Sequence, residues 1–122
     1  MDRRELRQLI FREYATQPDR PWLQYPDYEV FRHDDNQKWF AVIMDIPKNK
    51  LGLEGNEKID VVNFKCEPEL VYILRSERGI FPAYHMNKEN WLTAALDGSL
   101  PDERIRMLLE MSFRLTAPRK KP

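Results

Sequence analysis

The sequence predicts an α+β domain: a mainly antiparallel sheet of about five strands packed with three helices, in the order α-βββ-α-ββ-α. Three observations carry that expectation. Apolar residues recur at spacings of three and four near both ends of the 122-residue chain, as on amphipathic helices. Between them lie runs rich in β-branched and aromatic residues, joined by short polar turns of the kind found in hairpins. Finally, 42% of the residues are hydrophobic, with three Trp, five Tyr and six Phe, which is enough for one folded core despite a charged fraction of 33%.

The first helix is marked by Leu6, Leu9, Ile10 and Tyr14, with Asp2 as its N-cap and Glu5 three residues on as in a capping box. Pro18 and Pro21 cannot continue it, so it ends near Thr16. Residues 17–27 hold Pro18, Pro21 and Pro26 with two aromatics and read as an irregular, surface-hugging connection. Residues 28–33 form a strand, 34–37 a polar turn, and 38–46 a second strand. That second strand is apolar on both parities, with Trp39, Ala41 and Ile43 on one side and Phe40, Val42 and Met44 on the other. It is therefore expected to be central and covered on both faces.

Residues 47–57, with Gly52 and Gly55, read as a loop or hairpin tip before a third strand at 58–65. A second helix has Glu67 at its cap, Pro68 in its first turn, Leu70, Ile73 and Leu74 as its buried stripe, and Gly79 at its end. Phe81-Pro82-Ala83-Tyr84 echoes Tyr25-Pro26-Asp27-Tyr28, an aromatic–Pro–x–Tyr device for entering a strand, since proline holds the preceding residue extended. Strands are expected at 84–88 and 91–96, although Leu92 to Leu96 also has helix propensity. After an Asp97-Gly98 turn, Pro101, Asp102 and Glu103 open a third helix carried by Ile105, Leu108, Leu109, Ser112 and Leu115, and Pro118 ends it.

The charge balance narrows the function. Twenty basic and twenty acidic residues give a formal net charge of zero, without the basic excess usual in a domain built to grip nucleic acid. The one basic run, Arg119-Lys120-Lys121, reads as a solubilising tail at 119–122 after a single domain at 1–118. The longest apolar run, Trp39 to Met44, is far short of a membrane span, and no apolar segment follows Met1, so a cytoplasmic protein without membrane contact is expected. Cys66, the sole cysteine, excludes an internal disulfide and a cysteine-rich zinc site. Asp34-Asp35-Asn36 lacks EF-hand spacing, and His33 and His85 lack the spacing of a zinc pair, so neither metal nor cofactor is expected. Cys66 and His85 are the one pair that suggests nucleophilic catalysis, and they serve only if they meet. A lone cysteine before a helix reads instead as packing, and the chain is expected not to be an enzyme.

Several strings resemble one family. Residues 25–33 (YPDYEVFRH) with 36–41 (NQKWFA), then Leu51-Gly52-Leu53-Glu54-Gly55, Asn63-Phe64-Lys65-Cys66-Glu67-Pro68 and residues 82–91 (PAYHMNKENW) are similar, in order, to the motifs of the MmcQ/YjbR-like family. Ser112-Phe113 stands where that family usually shows Ser-Tyr, which removes a hydroxyl. The resemblance spans roughly residues 20–117. It implies a compact α+β fold and DNA binding through a double wing of sheet elements, with no reaction and no catalytic residue to carry over.

On that reading the candidate DNA-binding residues are Arg32 and Lys38 beside the first hairpin turn, Lys48 and Lys50 in the glycine-bearing loop, and Lys65 and Lys88 near strand ends. Asp34, Asp35, Glu54 and Glu57 in the same loops would repel phosphate, as befits ordinary solvated surface. Trp39 and Trp91 suit either base stacking or the core. His85, Asn87 and Trp91 are candidates for a surface contact, with Asn87 equally suited to satisfying backbone groups at a turn. The alternative, which fits the zero net charge better, is a protein-interaction or adaptor module using an exposed sheet face or edge.

Overall fold

The computed structural model describes residues 1–118. The tail at 119–122 lies outside the described residues. Three helices, α1 (Arg3–Tyr14), α2 (Pro68–Leu74) and α3 (Asp102–Thr116), accompany five strands: β1 (Glu29–Arg32), β2 (Trp39–Pro47), β3 (Lys58–Lys65), β4 (Ile80–Pro82) and β5 (Trp91–Ala95). The chain order α-βββ-α-ββ-α is the one the pattern predicts. Every neighbouring pair in the sheet is antiparallel, in the spatial order β1-β2-β3-β5-β4. A short 3-10 turn, Lys48–Leu51, follows β2.

α1 starts where local chemistry dictates. The Asp2 carboxylate accepts the Glu5 N–H, and the Glu5 carboxylate accepts the Asp2 N–H in return. Leu6, Leu9 and Ile10 on its buried face meet Ile105, Leu108 and Leu109 of α3 and the sheet residues Phe31, Ile43, Val62 and Phe64 in one core on the helix side. Among the described residues the other face carries no α-helix, only Leu51 of the short 3-10 turn. There Val30, Val42, Met44, Ile46, Ile59 and Val61 form a second cluster, roofed by Trp22, Tyr28 and Tyr84 from irregular segments. β2 is thus covered on both faces, as its apolar composition requires.

Its alternation departs from the expected one at a single point. Phe31 pairs with Ala41 but Arg32 pairs with Trp39, so Phe40 is an extra residue in a β-bulge. The bulge puts Phe40 beside Ala41 in the helix-side core and swings Trp39 to the opposite face with Val42 and Met44. It also removes the Phe40 carbonyl from regular pairing, and the buried Ser112 hydroxyl of α3 donates to it at 2.6 Å.

Three further expectations are corrected. α2 rests on Val71 and Leu74, while Leu70 and Ile73 are 37% and 65% exposed. A seven-residue helix makes about one buried contact per turn, and four apolar residues in two turns leave its rotation unspecified. Gly79 (φ 87°) serves the turn into β4 and does not cap α2, which ends at Leu74. Residues 84–88 form no strand. β4 comes earlier, pairing Ile80 with Ala94 and Pro82 with Leu92, and the chain then leaves the ladder through His85 at φ 61°.

The departing segment is nevertheless held to the helix-free face. The Asn63 amide donates to the Tyr84 carbonyl at 2.8 Å, the Tyr84 N–H donates to Thr93 Oγ1 at 3.0 Å, and the Thr93 hydroxyl donates to Asn63 Oδ1 at 2.5 Å. Two buried side chains thereby replace a missing strand partner. Asn87 closes the loop, its side-chain oxygen accepting the Glu89 N–H at 2.8 Å, which is the backbone role expected of it.

Candidate functional site

Strand register sorts the six candidate cations into two groups. Ala41 pairs with Phe64, and Lys65 pairs with Trp91, so the first hairpin turn, the end of β3 and the start of β5 lie at one end of the sheet. Arg32, Lys38, Lys65 and Lys88 belong to that end. Lys48 and Lys50 lie past the far end of β2, whose nine residues span about 30 Å at ~3.4 Å per residue. Lys48 is engaged by Glu57 at 3.2 Å, and Arg32 by Asp19 at 2.9 Å. Lys38, Lys50, Lys65 and Lys88 form no ion pair among the described residues.

Cys66 and His85 do not meet. Cys66 is fully buried in the helix-side core, and burial, followed by the nearby Glu67 charge, pushes its thiol up to about 11. His85 is exposed on the loop over the other face. Trp91 is buried, which corrects its candidacy as a surface contact, whereas His85 and Asn87 are exposed. Among the described residues no three His, Cys, Asp or Glu side chains gather to hold a metal ion, and no helix is long and apolar enough to cross a membrane.

Trp39 is only half-buried, and it belongs to a cleft in the helix-free face. The cleft encloses about 320 Å³. Its walls are Trp22, Tyr25, Tyr28 and Trp39, with Val42 and Met44 below and His85 and Met86 at the rim. Trp22 stands nearly perpendicular to both Trp39 (86°, centroids 5.7 Å apart) and Tyr28 (81°, 6.0 Å), and Tyr25 stacks on Tyr28 at 4.7 Å. The Arg32 guanidinium lies 5.6 Å from the Trp39 ring centre. Burial, then the neighbouring Tyr84, Asp45 and Tyr25, pushes the Tyr28 hydroxyl up to about 12, so it remains a neutral donor at ordinary pH.

A second depression of about 290 Å³ shares Tyr25 and Tyr28 and runs on to Asp45, Lys50 and Lys58. The sequence signal for this surface is the aromatic repeat Trp22, Tyr25, Tyr28 inside a proline-rich stretch. It reads as a connection because nothing local shows which strand it covers.

Comparison with known proteins agrees with the architecture. The family model described as YjbR matches residues 2–115. The Bacillus subtilis protein YyaQ, described as uncharacterized, is 41% identical over 116 residues, covering 95% of this chain and 98% of its own. Escherichia coli YjbR, also described as uncharacterized, is 41% identical over 59 residues, about half of each chain (48% and 50%). A crystal structure of a Pseudomonas syringae protein, 50% identical, superposes with a TM-score of 0.94 over 96% of this chain and 100% of that one.

Proposed function

The chain belongs to the YjbR family, and from that premise we propose that it is a non-enzymatic binding protein that contacts duplex DNA through the phosphate backbone. The carrying observation is the sorting of Arg32, Lys38, Lys65 and Lys88 to one end of the sheet and Lys48 and Lys50 to the other. The roughly 30 Å between the groups is close to the ~34 Å rise of one turn of duplex. A sheet lying along the helix axis would place its two ends at phosphates about a turn apart, by contacts that position the protein without reading bases.

Fluorescence anisotropy with a mixed-sequence duplex across a salt series tests this reading. Binding that weakens steeply with salt is expected. Neutralising Lys38, Lys50 or Lys88, exposed residues with no ion pair among those described, should each lower the slope of log K against log salt by about 1. Absence of binding at low salt sinks the reading.

A protein-interaction role is the second reading, favoured by the apolar outer face of α2. Leu70, Tyr72 and Ile73 are exposed on two turns of helix, at zero net charge. If that face is an interface, Ile73→Asp abolishes assembly seen by light scattering and leaves any DNA affinity unchanged.

A further inference from the structure

We infer that the aromatic cleft on the helix-free face is a binding site for a small planar aromatic ring carrying an anionic group. Its volume of about 320 Å³ falls in the range of small-molecule sites (about 300–1,000 Å³) and suits a ligand of one or two fused rings. The walls are built before any ligand arrives. The bulge at Phe40 fixes Trp39 on this face, Trp22 is wedged at right angles to it, and the Asn63–Thr93 pair holds the loop that carries His85 and Met86 over the opening. Perpendicular rings offer a flat guest both a stacking face and an edge, the two geometries aromatic pairs prefer.

Charge selects the guest. Among the described residues no carboxylate lines the cleft, so a cationic ligand finds no counter-ion in its walls. Just beyond the lining, the Arg32 guanidinium sits 5.6 Å from the Trp39 ring centre, paired with Asp19 at 2.9 Å. His85 supplies a nitrogen-bearing side chain at the rim. It is held there by a left-handed backbone (φ 61°) and by its ring lying 3.9 Å from that of Tyr84. An L-residue in that conformation carries local strain, and such positions cluster at ligand clamps. The ring of the ligand lies against Trp39 and Met44, and its acid group points to His85 at the rim. The inference does not rest on DNA binding, and a protein that ignores duplex leaves it intact.

The test is a titration of the full chain with 2-naphthoate, followed by the indole N–H resonances of its three tryptophans. Trp22 and Trp39 are expected to shift and Trp91 to stay in place. Cyclohexanecarboxylate, an acid without a flat ring, and 2-naphthylmethylammonium, a flat ring of opposite charge, are expected to bind at least about tenfold more weakly. Trp39→Leu should weaken 2-naphthoate about tenfold. His85→Asp, an exposed position where Asp tolerates the backbone, should weaken it about threefold through charge alone. No shift at Trp22 and Trp39 up to millimolar ligand, equal binding of the amine or the saturated acid, or indifference to both substitutions would overturn the assignment.

Discussion

The Ser112 hydroxyl donates to the Phe40 carbonyl at 2.6 Å and accepts the Lys65 N–H at 2.8 Å, joining α3 to the ends of two strands in a buried place. Ser112→Ala strands both backbone groups, and a loss of about 2 kcal/mol is expected, read as a fall of about 1 M in the urea midpoint. One turn on, the Thr116 hydroxyl spends its proton on the Ser112 carbonyl at 2.8 Å, so the His33 Nε2 that faces it at 2.8 Å is the donor. His33 is buried between the rings of Phe40 and Phe113, and loss of solvent lowers its pKa from the usual 6.5, against a smaller opposing pull from Asp35. Protons therefore bind the unfolded chain first. This contribution to stability is whole above pH ~6.5 and shrinks as pH falls from there towards the folded-state value. Denaturant midpoints taken between pH 7.5 and 5.5 should fall in the wild type and fall less in His33→Gln. Neither role was visible in the sequence, where Ser112 reads as one more position on a helical stripe and His33 as the end of a strand. Their partners lie 72 and 83 residues away.

Among the elements, α1 and β1 are fastened by a buried carboxylate. Arg7 forks onto Glu29 at 2.6 and 2.7 Å, and Arg20 from the proline-rich connection reaches the same group at 3.1 Å. Glu29→Gln leaves two guanidinium groups facing a neutral amide, and a destabilisation of about 3 kcal/mol is expected in chemical denaturation. Thr93→Val tests the tie on the other face. It should speed amide exchange at Tyr84 at least about tenfold while leaving β5 protected.

Elements with a local code were legible: α1 through its capping box, α3 through Pro101 and its acidic first turn, and β2 through its unbroken apolar run. β4 was not, because three residues ending in proline carry too little pattern and its place is fixed by pairing with β5. Nor was the bulge. With apolar residues on both parities, either facing of Trp39 and Phe40 leaves oily side chains inside, and only the register against β1 decides. The cleft was illegible for a related reason, since its walls come from residues 22–28, β2 and the 83–90 loop.

At the scale of the whole molecule, the sheet has two open edges, and both are blunted. Asp19 exchanges two 2.8 Å backbone hydrogen bonds with Val30 along β1, and β4 is three residues long and ends in exposed Pro82. With a formal net charge of zero, there is little general repulsion to keep copies apart, so this protection matters. Pro82→Val should restore a donor and a flat edge. Light scattering is expected to show concentration-dependent growth in that variant beyond the size of the wild type. The perpendicular Trp22–Trp39 pair has an optical consequence as well. Two indoles held 5.7 Å apart in fixed, non-parallel orientation couple their electronic transitions, so the far-ultraviolet circular dichroism should carry an exciton couplet superimposed on the backbone bands. That couplet depends on the mutual angle of two rings drawn from different segments. It would vanish when the cleft loosens, even while the helices and strands beneath it remain intact.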